Sequence, residues 1–362
     1  MNHSIYLPFL SLLISLSSTL SAQTAAQKSA AIASTSDVQQ QIENLLLAYQ
    51  QKGAFNGVVC VLENGETVYE QAFGYADGAQ TTPLTPQFRF GIGSIYKEFP
   101  AVAIMQLQEQ QRLSVEDPVS QYLTELPAWA ETVSIKQLMQ YSSGLPKIDW
   151  RSLFSSGVIP TDAIIMDFIK GIDSLEFAPG TDYLYTNCSP ILLIKIVEEI
   201  TQQAFPDYLA MYVFEPHGLT NTVLQDAYPY PNRALMAMPF AADFAEDGFR
   251  IAAKSLLFTA SAGDLAKWIN ALDSFQVVRK SSVELLSQSH QNNPAFQSPL
   301  GQCSWEKEDI LEHAHHGSSG NYECLVSSYK QEGLTIAITT NQKNGNVHQI
   351  VEEIYQLVRK KG

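Results

Sequence analysis

Ser94 and Lys97 are the two residues of this sequence whose types and spacing most directly offer chemistry, in the stretch Phe88 to Ala103, FRFGIGSIYKEFPAVA. If Ser94 opens a helix, a spacing of three puts both side chains on one face, with the serine in the first turn where backbone N–H groups lack intrahelical partners. That is a nucleophile beside a base. Gly91-Ile-Gly93 suits a tight strand-to-helix entry, and the apolar run from Ala101 to Leu107 suits a buried helix. Burial would desolvate the lysine and favour the neutral amine, which accepts a proton. A second Ser-x-x-Lys at Ser327 to Lys330 falls in an apparent strand, Tyr322 to Tyr329, where residues three apart point to opposite faces; it cannot form a site. Taken alone, Ser94 also reads as the N-cap of a core helix with a solvated lysine, so the rest of the chain must decide.

Two further constellations bear on that choice. Tyr185-Thr-Asn187 follows Pro179-Gly180 and precedes a helix that begins near Pro190. A tyrosine there relays a proton to a leaving group, and an asparagine two residues on steadies lysine and substrate through its two-sided amide. Tyr230-Pro-Asn232 repeats the letters without the loop-to-helix setting. His315-His-Gly317-Ser318 stands in a turn region at the start of an expected strand, where the glycine lets a substrate lie along the strand edge and the next N–H is free for an oxyanion.

The elements that must position these groups are readable from periodicity. Residues Asp37 to Gln51 form an amphipathic helix with Ile42, Leu45, Leu46 and Tyr49 on one face, and Gly57 to Leu62 and Thr67 to Phe73 form a hairpin turning at Asn64-Gly65. From Gln106 to about Tyr230 the pattern is mainly helical, including a short helix capped by Ser134 and an apolar one over Ile191 to Ile200. Strands return at Gln302 to Glu306, Tyr322 to Tyr329 and Leu334 to Asn341, before a last helix from Val347 to Val358. The expected fold class is α/β (α+β): a mainly antiparallel sheet built from both chain ends, flanked by helices, with a helical insertion. The boundaries are residues 37–105 and 231–362 for the sheet part and 106–230 for the helical part.

The chain has 362 residues and a net charge of -15, enough length for a sizeable core and the wrong charge for nucleic acid or anionic membrane partners. Residues Ile5 to Leu20 are apolar but short for a membrane span, which reads as the core of a signal peptide over residues 1–22 and implies export to the periplasm or beyond, with no stable membrane span after cleavage. Residues 23–36, rich in Ala, Ser and Gln, read as a flexible tether. Cys60, Cys188, Cys303 and Cys324 are compatible with oxidation after export, and Cys303 and Cys324 lie on strands that could be neighbours. Cys60 reads as a small core residue and Cys188 as a packed thiol.

Ser-x-x-Lys, Tyr-x-Asn and His-x-Gly in that order, each in a suitable element, resemble the serine β-lactamase-related superfamily: class C β-lactamases, DD-peptidases, D-aminopeptidases and β-lactamase-like esterases. Connecting text is also similar, in LSVEDPVSQYL, IKQLMQYSSGLP, FAPGTDYLYTN, FEPHGLTNT and SAGDLAKW. The resemblance runs from about Val38 to Val358 and implies a β-lactamase/DD-peptidase-like fold. It implies that Ser94 is the acylated nucleophile, that Lys97 and Tyr185 together handle its proton, and that Asn187 helps hold the substrate. It also implies that His315 and Gly317 line the strand-side wall and that the N–H groups of Ser94 and Ser318 form the oxyanion hole. No cofactor is implied. Which of Lys97 and Tyr185 is the base stays open.

Departures from the family pattern bear on specificity. Pro100, six residues after Ser94, is expected to kink the helix. Cys188-Ser-Pro follows Asn187 where relatives often carry Gly-Tyr, and Ser255 to Phe258 is bulkier than usual, which narrows the cleft. His315 replaces the lysine of typical β-lactamases, removing a fixed cation for a β-lactam carboxylate. The expected function is an exported serine hydrolase acting through an acyl-enzyme on a small ester, a peptide or a cell-wall-type amide. The alternatives are a class C-like β-lactamase or DD-carboxypeptidase, and a non-catalytic peptide- or peptidoglycan-binding protein. In His313-Ala-His315-His316 a strand would put His313 and His315 on one face, but no third metal ligand is evident, and no Gly-x-Ser-x-Gly elbow occurs.

Overall fold

The structure is a computed structural model that describes residues 37–360. The expected leader and tether lie outside the described residues. Helix α1 covers residues 37–51 and leads into β1 (Gly57–Glu63) and β2 (Glu66–Phe73). The turn between them has Asn64 at φ 53° and Gly65 at φ 82°, the paired left-handed conformations that match strand twist in a two-residue hairpin. Short strand β3 (Phe90–Gly91) enters a 3₁₀ turn, Gly93–Lys97, that runs directly into α2 (Glu98–Glu109). The intervening segment supplies α3 (Ile135–Met139), α4 (Trp150–Ser155), α5 (Asp162–Lys170), α6 (Cys188–Thr201), α7 (Phe205–Leu209) and strand β4 (Thr222–Leu224). Then come β5 (Phe258–Ala260), α8 (Ala262–Asp273), α9 (Lys280–Leu286), β6 (Gln302–Glu306), β7 (Asp309–Ser319), β8 (Tyr322–Tyr329), β9 (Leu334–Thr340) and α10 (Val347–Arg359).

Six strands form one antiparallel sheet in the order β2-β1-β9-β8-β7-β6, so the two chain ends meet at β1 and β9 as expected. Both faces are covered. Val59, Val61, Ile336 and Ile338 point toward α1 and α10, where Ile42, Leu46, Ile350 and Ile354 meet them, while Val58, Cys60 and Leu62 join the larger core around α2 and α8. Strand alternation therefore persists although β1 reads as continuously apolar. A second sheet, β3-β5-β4, ties the approach to Ser94 to the segment before α8.

Three expectations change. His315 to Ser318 belong to the last half of an 11-residue strand, β7, with the turn displaced to Gly320 and Asn321. The signal was masked because β7 alternates histidine and small polar residues instead of β-branched ones. Pro100 occupies the third position of α2, directly after the 3₁₀ turn passes into α-helix, so its missing N–H falls at that junction and not in an α-helical interior. Cys303 and Cys324 are on β6 and β8, which β7 separates, and all four cysteines are free.

Candidate active site

Ser94 is the second residue of the Gly93–Lys97 turn, held by β3 pairing to β5 and by the Ile92 N–H donating to the Phe258 carbonyl at 3.1 Å. The 3₁₀ geometry eclipses residues three apart. It brings Lys97 Nζ to 3.2 Å from Ser94 Oγ. Lys97 is 4% exposed, with its nitrogen 4.7 Å from the Tyr96 ring centre and 4.8 Å from that of Tyr185. Burial pulls its pKa down to about 7, which brings the neutral amine within reach near neutral pH.

Tyr185 and Asn187 come from the loop before α6, which is pinned to the segment after α3. The Leu184 N–H donates to the Tyr141 carbonyl, and the Thr186 hydroxyl to the Pro146 carbonyl. α3 is fixed in turn by the expected cap: Ser134 and Gln137 exchange side-chain and backbone hydrogen bonds. Burial raises the Tyr185 pKa to about 12, although nearby Ser94 opposes the rise. Its hydroxyl is buried and makes no hydrogen bond of normal geometry. Asn187 Oδ1 accepts a long hydrogen bond, 3.4 Å, from the Tyr96 hydroxyl.

Two glycines set the opposite wall. Gly93 has φ +53°, and a Cβ there would lie 2.2 Å from the Ser318 nitrogen; a Cβ on Gly317 would lie 3.0 Å from the Ser94 nitrogen. The Ser94 turn and β7 thus meet backbone to backbone, placing the two amides expected to form the oxyanion hole on facing segments. β6 pairs with β7 only as far as Ala314, so His315 to Ser319 form a free strand edge on that side. Lys343 Nζ donates to Ser318 Oγ at 2.7 Å.

His315 lies on this strand, but its ring is 2% exposed and packs against Glu98 instead of lining the cleft; Nδ1 is 2.5 Å from Glu98 Oε1. Burial lowers its pKa despite that carboxylate, keeping the ring neutral. His313 is on the same face, as strand alternation requires, with Nδ1 2.8 Å from Asp273 and Nε2 2.9 Å from the Leu300 carbonyl. Burial opposes its charge, but Asp273 and Glu98 hold its pKa well above the ordinary value. His316 is on the other face, bonded to Glu323 at 3.0 Å.

The cleft in front of Ser94 encloses about 460 Å³. Ser94, Lys97, Tyr185, Asn187 and Ser318 contribute to it, and Trp150, Phe154, Tyr228, Phe249, Ile251 and Leu257 supply apolar surface. Sequence reasoning did not identify this aromatic wall, whose members come from segments far apart in the chain. It also missed Glu98, which was visible as a lone charge in the buried helix. In the Tyr-x-Asn decoy, Tyr230 lines the cleft but Asn232 is exposed.

Residues 38–359 match the family model described as Beta-lactamase. The chain is 27% identical over 341 residues to PbpX of Bacillus subtilis (strain 168), a protein named for penicillin binding, covering 92% of this chain and 82% of that one. The D-amino acid amidase of Ochrobactrum anthropi SV3 superposes with a TM-score of 0.70 at 17% identity, covering 90% of this chain and 99% of the amidase. EstCE1, described as a hydrolase with promiscuous acyltransferase activity, superposes at 0.69 and 17% identity, over 90% and 98%. At those identities the two structural likenesses speak for the fold. The family match spans nearly every described residue and includes the whole constellation around Ser94, so this chain belongs to the Beta-lactamase family and is a serine hydrolase of that fold.

Proposed function

We propose that the protein cleaves esters or amides bearing an apolar acyl or aryl group through an acyl-enzyme on Ser94, outside the cytoplasm. The observation that carries this reading is the 3.2 Å approach of Lys97 Nζ to Ser94 Oγ within a desolvated pocket. The neutral amine takes the serine proton as Oγ attacks the carbonyl carbon, and the oxyanion is received by the N–H groups of Ser94 and Ser318. Lys97 is the acceptor because its pKa is about 7, whereas Tyr185 at about 12 is a protonated phenol that passes its proton to the leaving oxygen or nitrogen and takes the serine proton in its place from the Lys97 ammonium. Water then hydrolyses the Ser94 ester, releasing the acid.

Ester or peptide substrates are favoured over β-lactams because His315 replaces a cation and its ring is neutral and held by Glu98. The apolar stretch Ile5 to Leu20 supports export. The test is intact mass after brief mixing with a p-nitrophenyl ester or a penicillin, with Ser94→Ala alongside. An acyl adduct lost in the mutant is expected, longer-lived with penicillin than with the ester. Absence of any adduct and turnover in folded protein would overturn the enzyme reading in favour of a binding protein; rapid penicillin turnover would overturn the substrate preference.

A further inference from the structure

Once Lys97 takes the Ser94 proton it is a buried ammonium, and a buried charge without a partner is costly. Among the described residues its only side-chain hydrogen bond is with Ser94, and it makes no ion pair within 4 Å. What meets the nitrogen is aromatic. It lies over two ring faces, 4.7 Å from the centre of Tyr96 and 4.8 Å from that of Tyr185. Both distances fall inside the roughly 6 Å over which the electron-rich face of a ring attracts a cation. Tyr185 has a proton to move in the proposed reaction, but Tyr96 has no such task and is held rigidly. It is 4% exposed, its ring stacks on Phe258 at 5.3 Å, and its hydroxyl donates to Asn187 Oδ1 at 3.4 Å. Phe258 belongs to β5, which pairs with the β3 strand leading into the Ser94 turn, so ring and nucleophile share one support. Burial, with Tyr185 and Cys188 nearby, keeps the Tyr96 phenol protonated, so it offers Lys97 a ring face and not a negative oxygen.

We infer that Tyr96 is a positioning residue for the proposed reaction: its ring face, with that of Tyr185, holds the Lys97 ammonium that forms when the amine takes the serine proton. The inference rests on the reading of Ser94 and Lys97 given above. A carboxylate in that place would raise the lysine titration by roughly one to three pH units and suppress the amine at neutral pH. An uncharged ring supports the ammonium more weakly, so the same nitrogen can accept a proton and give it up again. The titratable groups around Lys97 are Ser94 and Tyr96 on its own turn, Tyr185 on the loop before α6, Tyr141 after α3, and the neutral His315 on β7. Beside it on α3 and α6, Leu138, Met139, Pro190 and Leu193 are apolar. The next acid in the chain, Glu98, accepts from Trp268 and His315 instead.

The experiment replaces Tyr96 with phenylalanine and with mono-, di- and trifluorinated phenylalanine, which keep the shape of the ring while successive fluorines drain its face of negative charge. The pH dependence of Ser94 acylation by a p-nitrophenyl ester is followed by intact mass, and in wild type the rate rises with pH through the lysine titration. Tyr96→Phe, which loses only the bond to Asn187, is expected to leave that limb in place. The trifluoro ring is expected to move it down by about one pH unit, with the intermediate rings between, and to lower the rate above it because the weaker base is a poorer acceptor. The Lys97 side-chain resonance in isotopically labelled protein, assigned by its loss in Lys97→Met, is expected to show the same shift without substrate. A ring that serves packing alone leaves both titrations in place, or lowers the rate equally at every pH. Either result, or a limb that moves up, overturns the inference while leaving the acyl-enzyme reading intact. Failure of wild type to form a Ser94 adduct overturns the underlying reading instead.

Discussion

A Cβ atom on Gly317 would lie 2.0 Å from the carbonyl oxygen of Ile92, closer than any real contact permits. The residue that follows Gly317 carries one amide of the proposed oxyanion hole, and the nucleophile is two residues beyond Ile92. Gly317→Ala must therefore push β7 away from the Ser94 turn. Overpacking of this kind costs about 1 to 3 kcal/mol, while losing one oxyanion donor costs roughly 10²- to 10³-fold in rate. We expect a lower melting temperature and at least a 100-fold drop in Ser94 acylation. Wild-type acylation kinetics in Gly317→Ala would show that β7 does not serve the oxyanion.

Lys97 should reduce stability for the sake of activity. Its folded pKa of about 7 lies below the ordinary lysine value of 10.5, so folding expels a proton. Stability is then highest above 10.5, declines as pH falls toward 7, and changes no further from this group below its folded value. The difference amounts to about 4 kcal/mol at pH 7. Lys97→Met, which keeps the volume, is expected to abolish acylation and to stabilise the protein by on the order of 2 to 4 kcal/mol at pH 7, with the gain vanishing near pH 10.5. Denaturant unfolding at several pH values measures this. A gain independent of pH would show that the lysine is not desolvated.

How much of this was readable beforehand follows from the range of the interactions. Hairpin residues Asn64 and Gly65, the Ser134 cap and the α10 stripe of Val347, Ile350, Val351 and Ile354 are local signals, and they appear in the structure where the pattern put them. Ser94, Lys97, Tyr185 and Asn187 were legible as short spacings, and the fold brings them to one cleft. The direction of His315 was not legible, because strand alternation assigns a residue to a face without saying what covers it. Glu98 on α2 covers it. Nor could spacing assemble Trp150, Phe154, Tyr228 and Phe249, which converge only when α4 meets the segment before β5.

The Tyr185 hydroxyl is buried without a normal hydrogen bond, an arrangement that costs stability unless a substrate supplies the partner. Tyr185→Phe removes the unsatisfied group and keeps the ring beside Lys97 and the 4.6 Å contact with Tyr141. Stability should be unchanged or higher by up to about 1 kcal/mol. Turnover should fall by roughly 10²- to 10⁴-fold if the phenol passes the proton to the leaving group. The effect should be greater for alkyl esters and amides than for p-nitrophenyl esters, whose leaving group needs little protonation. Equal losses across leaving groups would assign Tyr185 to structure.

Phe154 is 40% exposed yet stacks with Trp150 at 6.0 Å and approaches Phe249 at 5.9 Å, while Phe249 stacks on Tyr228 at 4.3 Å. Such a ladder at a cleft mouth offers apolar area to a ligand without first having to be uncovered. Burying a phenyl-sized group there is worth about 1.5 to 3 kcal/mol, of which truncating one ring removes part. Phe154→Ala is accordingly expected to raise KM three- to tenfold for phenylacetyl or octanoyl esters and to leave acetyl esters unchanged, with kcat for each substrate near wild type. Measuring KM against acyl length in both proteins makes the comparison internal. If the loss is the same for acetyl and octanoyl esters, the ring acts on cleft shape rather than on the acyl group, and the preference for apolar substrates must arise deeper, at Ile251 and Leu257.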